Sequence, residues 1–187
     1  KLKAITYDEM LDLAALGAGV LHNRSVEMAK KYGVRLIVRS SLNESEGTEV
    51  KEVVKKMERM LISGVALDRN ADRISVIGIQ DVPGSAFKLF NTLAKRNINV
   101  DIILEEYKDV LGFERVEYNC DVAKLSIVGA GMMSNPGVAA KMFECLYSQN
   151  VNINMIATSE IRITVLVDSQ DAVSAMNAVH EAFGLSE

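Results

Sequence analysis

PGSAFKLFNTLAKRNINVDII (residues 83–103) and PGVAAKMFECLYSQNVNINMI (residues 136–156) are two versions of one motif. They stand 53 positions apart without a gap, and nine of the 21 pairs are identical: Pro83/Pro136, Gly84/Gly137, Ala86/Ala139, Lys88/Lys141, Phe90/Phe143, Leu93/Leu146, Asn97/Asn150, Asn99/Asn152 and Ile103/Ile156. Unrelated segments would share about one, so the chain contains a tandem duplication, which decides the fold before any single residue does. Pro83 and Pro136 are the only prolines, and each opens its repeat.

The motif predicts a helix and then a strand. Proline costs least at a helix start, where its missing N–H has no intrahelical partner. Ala86, Leu89, Phe90, Leu93 and Ala94 make one apolar stripe, and Ala139, Met142, Phe143, Leu146 and Tyr147 make its counterpart. Asn97 and Asn150 fall where each helix should end, in the left-handed conformation that Asn tolerates. Val100, Ile102 and Leu104 alternate, as do Val151, Ile153 and Met155, which is strand periodicity.

Working outward, apolar β-rich runs precede both repeats, at 73–79 and 124–128. The second repeat continues with a strand over 161–167 and an amphipathic helix over 170–183 that turns Val173, Met176, Val179 and Phe183 inward. That order, β-α-β-β-α, is most of a ferredoxin-like unit. The first repeat has only about 16 residues between Leu104 and Asp121, too few for another strand and helix. Either this copy is truncated or residues are absent from the sequence, and the break in pattern at Glu105-Glu106-Tyr107 favours absence.

Upstream, residues 7–31 read as helical, with Tyr7-Asp8-Glu9 placing acid where the helix dipole favours it and Gly33 as the stop. A buried strand is expected over 34–38, a polar loop over 40–49, a short helix over 50–61 and a strand over 62–67. The chain begins with Lys1, as a fragment of a longer protein would.

Composition narrows the function. Of 187 residues, 49% are hydrophobic and 25% charged, as in an ordinary globular protein. A net charge of −4 and the absence of a Lys/Arg run argue against nucleic-acid binding. No apolar stretch is long enough for a membrane span, and the first residues lack a signal-peptide core, so a cytoplasmic protein is expected. Cys120 and Cys145 have neither metal nor redox spacing. His22 and His180 are isolated, Gly129-Ala130-Gly131 lacks the spacing of a dinucleotide fingerprint, and no catalytic constellation is visible.

The Pro-Gly turns are the chemistry to follow. Amide groups at a helix start lack intrahelical partners and carry partial positive charge, so a carboxylate fits there. Gly84 and Gly137 allow close backbone approach. Asn99 and Asp101 in one repeat, Asn152 and Asn154 in the other, would accept hydrogen bonds from an ammonium group. A free amino acid matches both ends. Thr158, Ser159 and Glu160 add two hydroxyls and a carboxylate suited to a side-chain amine. The plainer alternative is that Pro-Gly only starts a helix and that Thr158-Ser159-Glu160 is an ordinary turn.

LSIVGAGMMSNPGVAAKMFECLYSQNVNINMIATSEIRITVLV with AVHEAFGL, and ISVIGIQDVPGSAFKLFNTLAKRNINVDIIL before it, resemble the tandem ACT domains at the C-terminal end of aspartate kinases. YDEMLDLAALGAGVLHNRSVEMAKKYGVRLIVRSS resembles the end of that family's amino-acid kinase domain, with His22-Asn23-Arg24 in place of the usual His-Pro-Arg. The resemblance implies an α+β fold: two ferredoxin-like ACT units of βαββαβ type, preceded by the C-terminal end of an amino-acid kinase α/β domain. It divides the chain into 1–59 (kinase end and linker), 60–120 (first ACT domain, incomplete after Leu104) and 121–187 (second ACT domain), with 62–67 completing the second sheet.

The implied function is feedback control of ATP-dependent aspartate phosphorylation, the first step of lysine, threonine and methionine biosynthesis. Lysine and/or threonine would be the effectors. A stand-alone regulatory subunit is the alternative. Carried over residue by residue, the second pocket would use Met132, Asn135, Gly137 and Ala139, then Asn152, Ile153, Asn154, Ser159 and Glu160. The first would use Asp81, Gly84, Ala86, Asn99, Val100 and Asp101. Glu160 or Asp101 would pair with a lysine side-chain amine. The resemblance further implies a homodimer through the ACT units and contact with a kinase catalytic domain. No nucleic acid, membrane, metal or cofactor is expected in this chain, ATP and Mg belonging to the full enzyme. Without the family's phosphate- and aspartate-binding segments, this chain alone should not phosphorylate aspartate.

Overall fold

In the computed structural model, which describes residues 2–52, 61–96 and 112–185, the chain forms two compact units. One comprises Lys1–Ala71 with Asp121–Glu187, the other Asp72–Cys120. The expected helix at 50–61 lies largely outside the described residues, as do Asn97, Leu104 and the expected site residues Asn99, Val100 and Asp101.

The larger unit is organised by a four-stranded sheet of order β4-β5-β7-β6, with β4 Gly64–Ile77, β5 Arg115–Val128, β6 Met155–Thr158 and β7 Arg162–Asp168. β7 pairs antiparallel with β5, Leu125 opposite Val165, and with β6, Ile156 opposite Val165. Helices α4 (Gly137–Ser148) and α5 (Ala172–Ala182) complete β5-α4-β6-β7-α5. The strand closing the ferredoxin-like pattern comes from upstream: residues 64–71 of β4 lie beside β5, in place of a last strand after α5.

Alternation places the core. Ala123, Leu125 and Ile127 of β5 and Ile163, Val165 and Val167 of β7 face Val138, Met142 and Leu146 of α4 and Ala172, Ala175 and Val179 of α5. On α5 the inward stripe is Ala172, Ala175 and Val179, with Met176 and Phe183 at its margin. Val173 is exposed, because a 3.6-residue period starting at Ala172 turns its neighbour outward. On the intervening strand positions, the buried hydroxyls of Ser126 and Thr164 satisfy each other at 2.8 Å.

The same unit carries a three-stranded sheet of order β1-β3-β2 (Ala4–Thr6, Thr48–Lys51, Leu36–Val38), with β1 parallel and β2 antiparallel to β3. The expected continuous helix over 7–31 is two helices, α1 Tyr7–Ala15 and α2 Asn23–Tyr32. Gly17 (φ +91°) and Gly19 (φ +67°) turn the chain left-handed between them, which a helix cannot do. Gly33 ends α2 at φ +62°, as its position predicted, and His22 caps its start by accepting the Arg24 N–H. The strand over 34–38 shortens to β2 at a sheet edge, with Val34 and Ile37 exposed rather than buried. Within the expected loop over 40–49, Thr48 and Glu49 belong to β3, because Thr48 pairs with Val38 and Glu49 with Ile37 and Ala4.

The smaller unit contains residues 72–77 of β4, helix α3 (Ser85–Arg96) and residues 115–120 of β5. Glu114 N–H donates to the Ile77 carbonyl at 2.8 Å where these strands end.

Candidate functional site

The second repeat builds a cleft of about 390 Å³ from two walls. One is the approach to α4. Gly129 leads into a 3₁₀ turn, Ala130–Ser134, followed by Asn135 and Pro136, the residue at the helix N-cap. Asn135 Nδ2 donates to the Gly131 carbonyl at 2.8 Å and fixes that turn. Pro136 supplies no side-chain cap, so the first-turn amides lack the acceptor that Ser, Thr or Asp would provide. A Cβ on Gly137 would meet nothing within 4 Å, so packing within the protein does not demand glycine here.

The other wall is the β6–β7 turn. Ser159 N–H donates to the Arg162 carbonyl at 2.8 Å and closes the turn, setting Thr158, Ser159 and Glu160 along the cleft. Met132, Val138, Ala139 and Ile163 line the apolar part. The Val138 N–H donates to the Asn135 carbonyl at 3.3 Å, and the cleft therefore offers a helix start without a side-chain cap on one side, two hydroxyls and a carboxylate on the other, and an aliphatic floor between. That set suits a zwitterion with a short apolar body and a polar end.

Of the expected second-repeat residues, the structure brings Met132, Asn135, Ala139, Ser159 and Glu160 to the cleft, with Gly137 at the helix start. Asn152, Ile153 and Asn154 do not line it. The strand begins at Met155, not Val151, because pairing with β7 sets its bounds. Ile153 packs on the core, Asn152 is exposed, and Asn154 Nδ2 donates to Asp168 Oδ1 at 2.8 Å. Pro136, Val138 and Ile163 line the cleft without having been expected there. Strand periodicity could have indicated Ile163, but only with the hairpin register known.

The first-repeat cleft, about 650 Å³, is built differently. All of its lining residues fall between Ile79 and Leu89, including Asp81, Gly84 and Ala86. Among the described residues it has no second wall like the Thr158-Ser159-Glu160 turn. Gly84 sits at φ +99°, so glycine here answers the backbone itself.

Cys145 is half-buried, and burial pushes its thiol pKa up, away from reactive thiolate character. Among the described residues no group of three or more His, Cys, Asp or Glu could hold a metal ion, and no helix is long and apolar enough to cross a membrane.

Comparison with known proteins agrees with this fold. An ACT domain family model matches residues 125–183, which holds both walls of the second-repeat cleft. Aspartokinase 2 of Bacillus subtilis (strain 168) is 44% identical over all of this chain and 52% of its own length. The chain thus spans about half the length of the curated relatives it matches. That match runs over 213 positions against 187 residues here, so the relative holds residues this chain lacks. The regulatory subunit of aspartate kinase from Thermus thermophilus, in a ligand-free form, is 38% identical, with a TM-score of 0.61 over 66% of this chain and 99% of that one. E. coli aspartokinase III in complex with lysine and aspartate (T-state) shares the fold, with a TM-score of 0.76 at 22% identity over 98% of this chain and 46% of that one.

Proposed function

This chain belongs to the aspartokinase family and carries its ACT-type regulatory region, and from that premise we propose that its second-repeat cleft binds an end-product amino acid and so controls an aspartate kinase. The cleft's two-walled form carries the reading, since it offers separate partners for a carboxylate and for a polar side chain. First-turn amides would take the ligand carboxylate. Glu160 would pair with a side-chain ammonium, favouring lysine, while Thr158 and Ser159 would serve a hydroxyl, as in threonine. Lysine is the first effector to test, because E. coli aspartokinase III is described in complex with it.

The reaction assigned to the longer protein is transfer of phosphate from ATP, with Mg, to the β-carboxylate of aspartate. Residues 1–59 would be the end of its catalytic domain, 60–120 the first ACT unit and 121–187 the second. Side-by-side association of two chains through their ACT units would bring further groups to each cleft. Binding would shift the enzyme between active and inhibited states through unequal affinity for the two. A stand-alone regulatory subunit is the second reading, favoured by the near-complete coverage of the Thermus thermophilus regulatory subunit. Against it stands the third of this chain outside that match.

Calorimetric titration of the chain with lysine, threonine, methionine and aspartate, with sedimentation alongside, tests the proposal. Saturable binding of lysine or threonine, weakened about tenfold or more by Ser159→Ala with Glu160→Gln, is expected. Binding indifferent to that double change would remove this cleft from consideration.

A further inference from the structure

Glu9 is fully buried, and its carboxylate is met by four donors. Oε2 accepts from Thr6 N–H (3.1 Å) and Thr6 Oγ1 (2.7 Å), closing the capping box of α1. Oε1 looks away from its own helix: it accepts from Ser63 Oγ at 2.7 Å and from Ala130 N–H at 2.9 Å. The four lone-pair sites of one carboxylate are thus shared between a helix start and two distant chain segments. One turn further along α1, Asp12 Oδ1 accepts from Arg162 Nη1 at 3.3 Å. Positions i and i+3 share a helix face, so one face of α1 holds both Ala130 and Arg162.

Those two residues are the roots of the two cleft walls. Ala130 opens the 3₁₀ turn that leads to Met132 and Asn135. Arg162 ends the turn that carries Thr158, Ser159 and Glu160, and its carbonyl receives the Ser159 N–H. Between the roots, Gly129 N–H donates to the Ile161 carbonyl at 2.9 Å, one hydrogen bond joining the two segments. Close packing leaves little slack beneath them. A Cβ on Gly129 would come within 2.5 Å of Ile62 Cα, and one on Gly64 within 3.1 Å of Leu13 Cδ2. Leu16 is buried against Ala66 and Val128. α1 in turn continues from β1 of the three-stranded sheet and is tied to α2 by Asp8–Lys30 and to the start of the β2 segment by Tyr7 Oη donating to the Val34 carbonyl.

We propose that Glu9 and Asp12 are positioning residues through which α1 reads the state of the second-repeat cleft and passes it to the three-stranded sheet. The proposal rests on that cleft being an amino-acid site. A ligand drawing the walls together shifts Ala130 against Arg162, and α1, bonded to both, must move or resist. By linkage, whatever α1 does to the walls the ligand does to α1 in equal measure.

The test is hydrogen exchange of the full chain with and without millimolar L-lysine, and separately L-threonine, on wild type, Glu9→Gln and Asp12→Asn. In wild type, the amino acid that binds should slow exchange at residues 130–139 and 158–162 and also change it at residues 7–16 by about fivefold or more. In the variants the cleft should still be protected while the response at 7–16 falls below about twofold. A merely structural Glu9 would raise exchange with and without ligand alike and leave the ligand-dependent difference intact. Asp12→Asn, at a partly exposed position, keeps the test valid should Glu9→Gln fail to fold. Cleft protection in wild type without a response at 7–16, or a response that survives both variants, overturns the coupling alone. Absence of binding of either amino acid to wild type overturns the cleft reading and this proposal with it.

Discussion

Helices α3 and α4 grow from one motif and meet different surroundings. In α4, Met142 is 0% exposed and Leu146 is fully buried under the sheet and α5. In α3, Leu89, the partner of Met142 in the repeat, is only half-buried, and Phe87 and Phe90 are 71% and 67% exposed. The apolar stripe is present in both sequences, but a stripe is buried only where another element covers it. The second repeat has β7, α5 and a strand borrowed from residues 64–71. The first has residues 115–120 of β5 as its borrowed strand, but no counterpart of β7 or α5 among the described residues. Among the described residues its cleft likewise has one wall.

The largest expected effect breaks that contrast at its centre. Met142→Ala should lower unfolding free energy by about 3 kcal/mol, and Leu89→Ala by about 1 kcal/mol, in chemical denaturation. Equal losses would mean that α3 is as well covered as α4.

A smaller effect sharpens the reading of the helix end. Asn150 is the only non-glycine residue at positive φ (55°) among those described. Asn150→Ala should cost about 1 kcal/mol, whereas Asn150→Gly should be close to neutral, as read by thermal melting.

The smallest concerns the borrowed strand. Asp68 on β4 pairs with Lys124 on β5 at 2.9 Å and accepts the Asn70 N–H at the same distance. The hydrogen bond from Lys124, ahead of the opposing effect of burial, holds its carboxyl below the usual range. A depressed carboxylate contributes stability above its unfolded pKa, about 4, and loses it as pH falls through the lower folded value. Wild type should therefore lose a few tenths of a kcal/mol more than Asp68→Asn on acidification below about pH 4, the pair being partly exposed. Parallel pH profiles for the two would remove the pair from the account.

Much of this was legible in the residues. Two Pro-Gly starts, an Asn at a left-handed helix end, Gly33 as a stop and the β-α-β-β-α order all follow from local chemistry, and local chemistry survives folding. What escaped was set by distant partners. Val151 and Ile153 alternate like a strand, yet β6 begins at Met155 because β7 fixes the register. Asn154 spends its Nδ2 on Asp168, 14 positions on, a partner that local sequence does not announce. The pattern Thr6-x-x-Glu9 announces a capping box. Nothing near it in sequence announces Ser63 and Ala130, 54 and 121 positions away.

The most direct measurement is an NMR titration of the chain with L-lysine and then L-threonine, following backbone amides. The account predicts saturable shifts concentrated at Asn135, Gly137, Ala139, Ser159 and Glu160, with weaker or no change at Asp81, Gly84 and Ala86. Saturable shifts confined to the first repeat, or none from either amino acid in a folded chain, would contradict it.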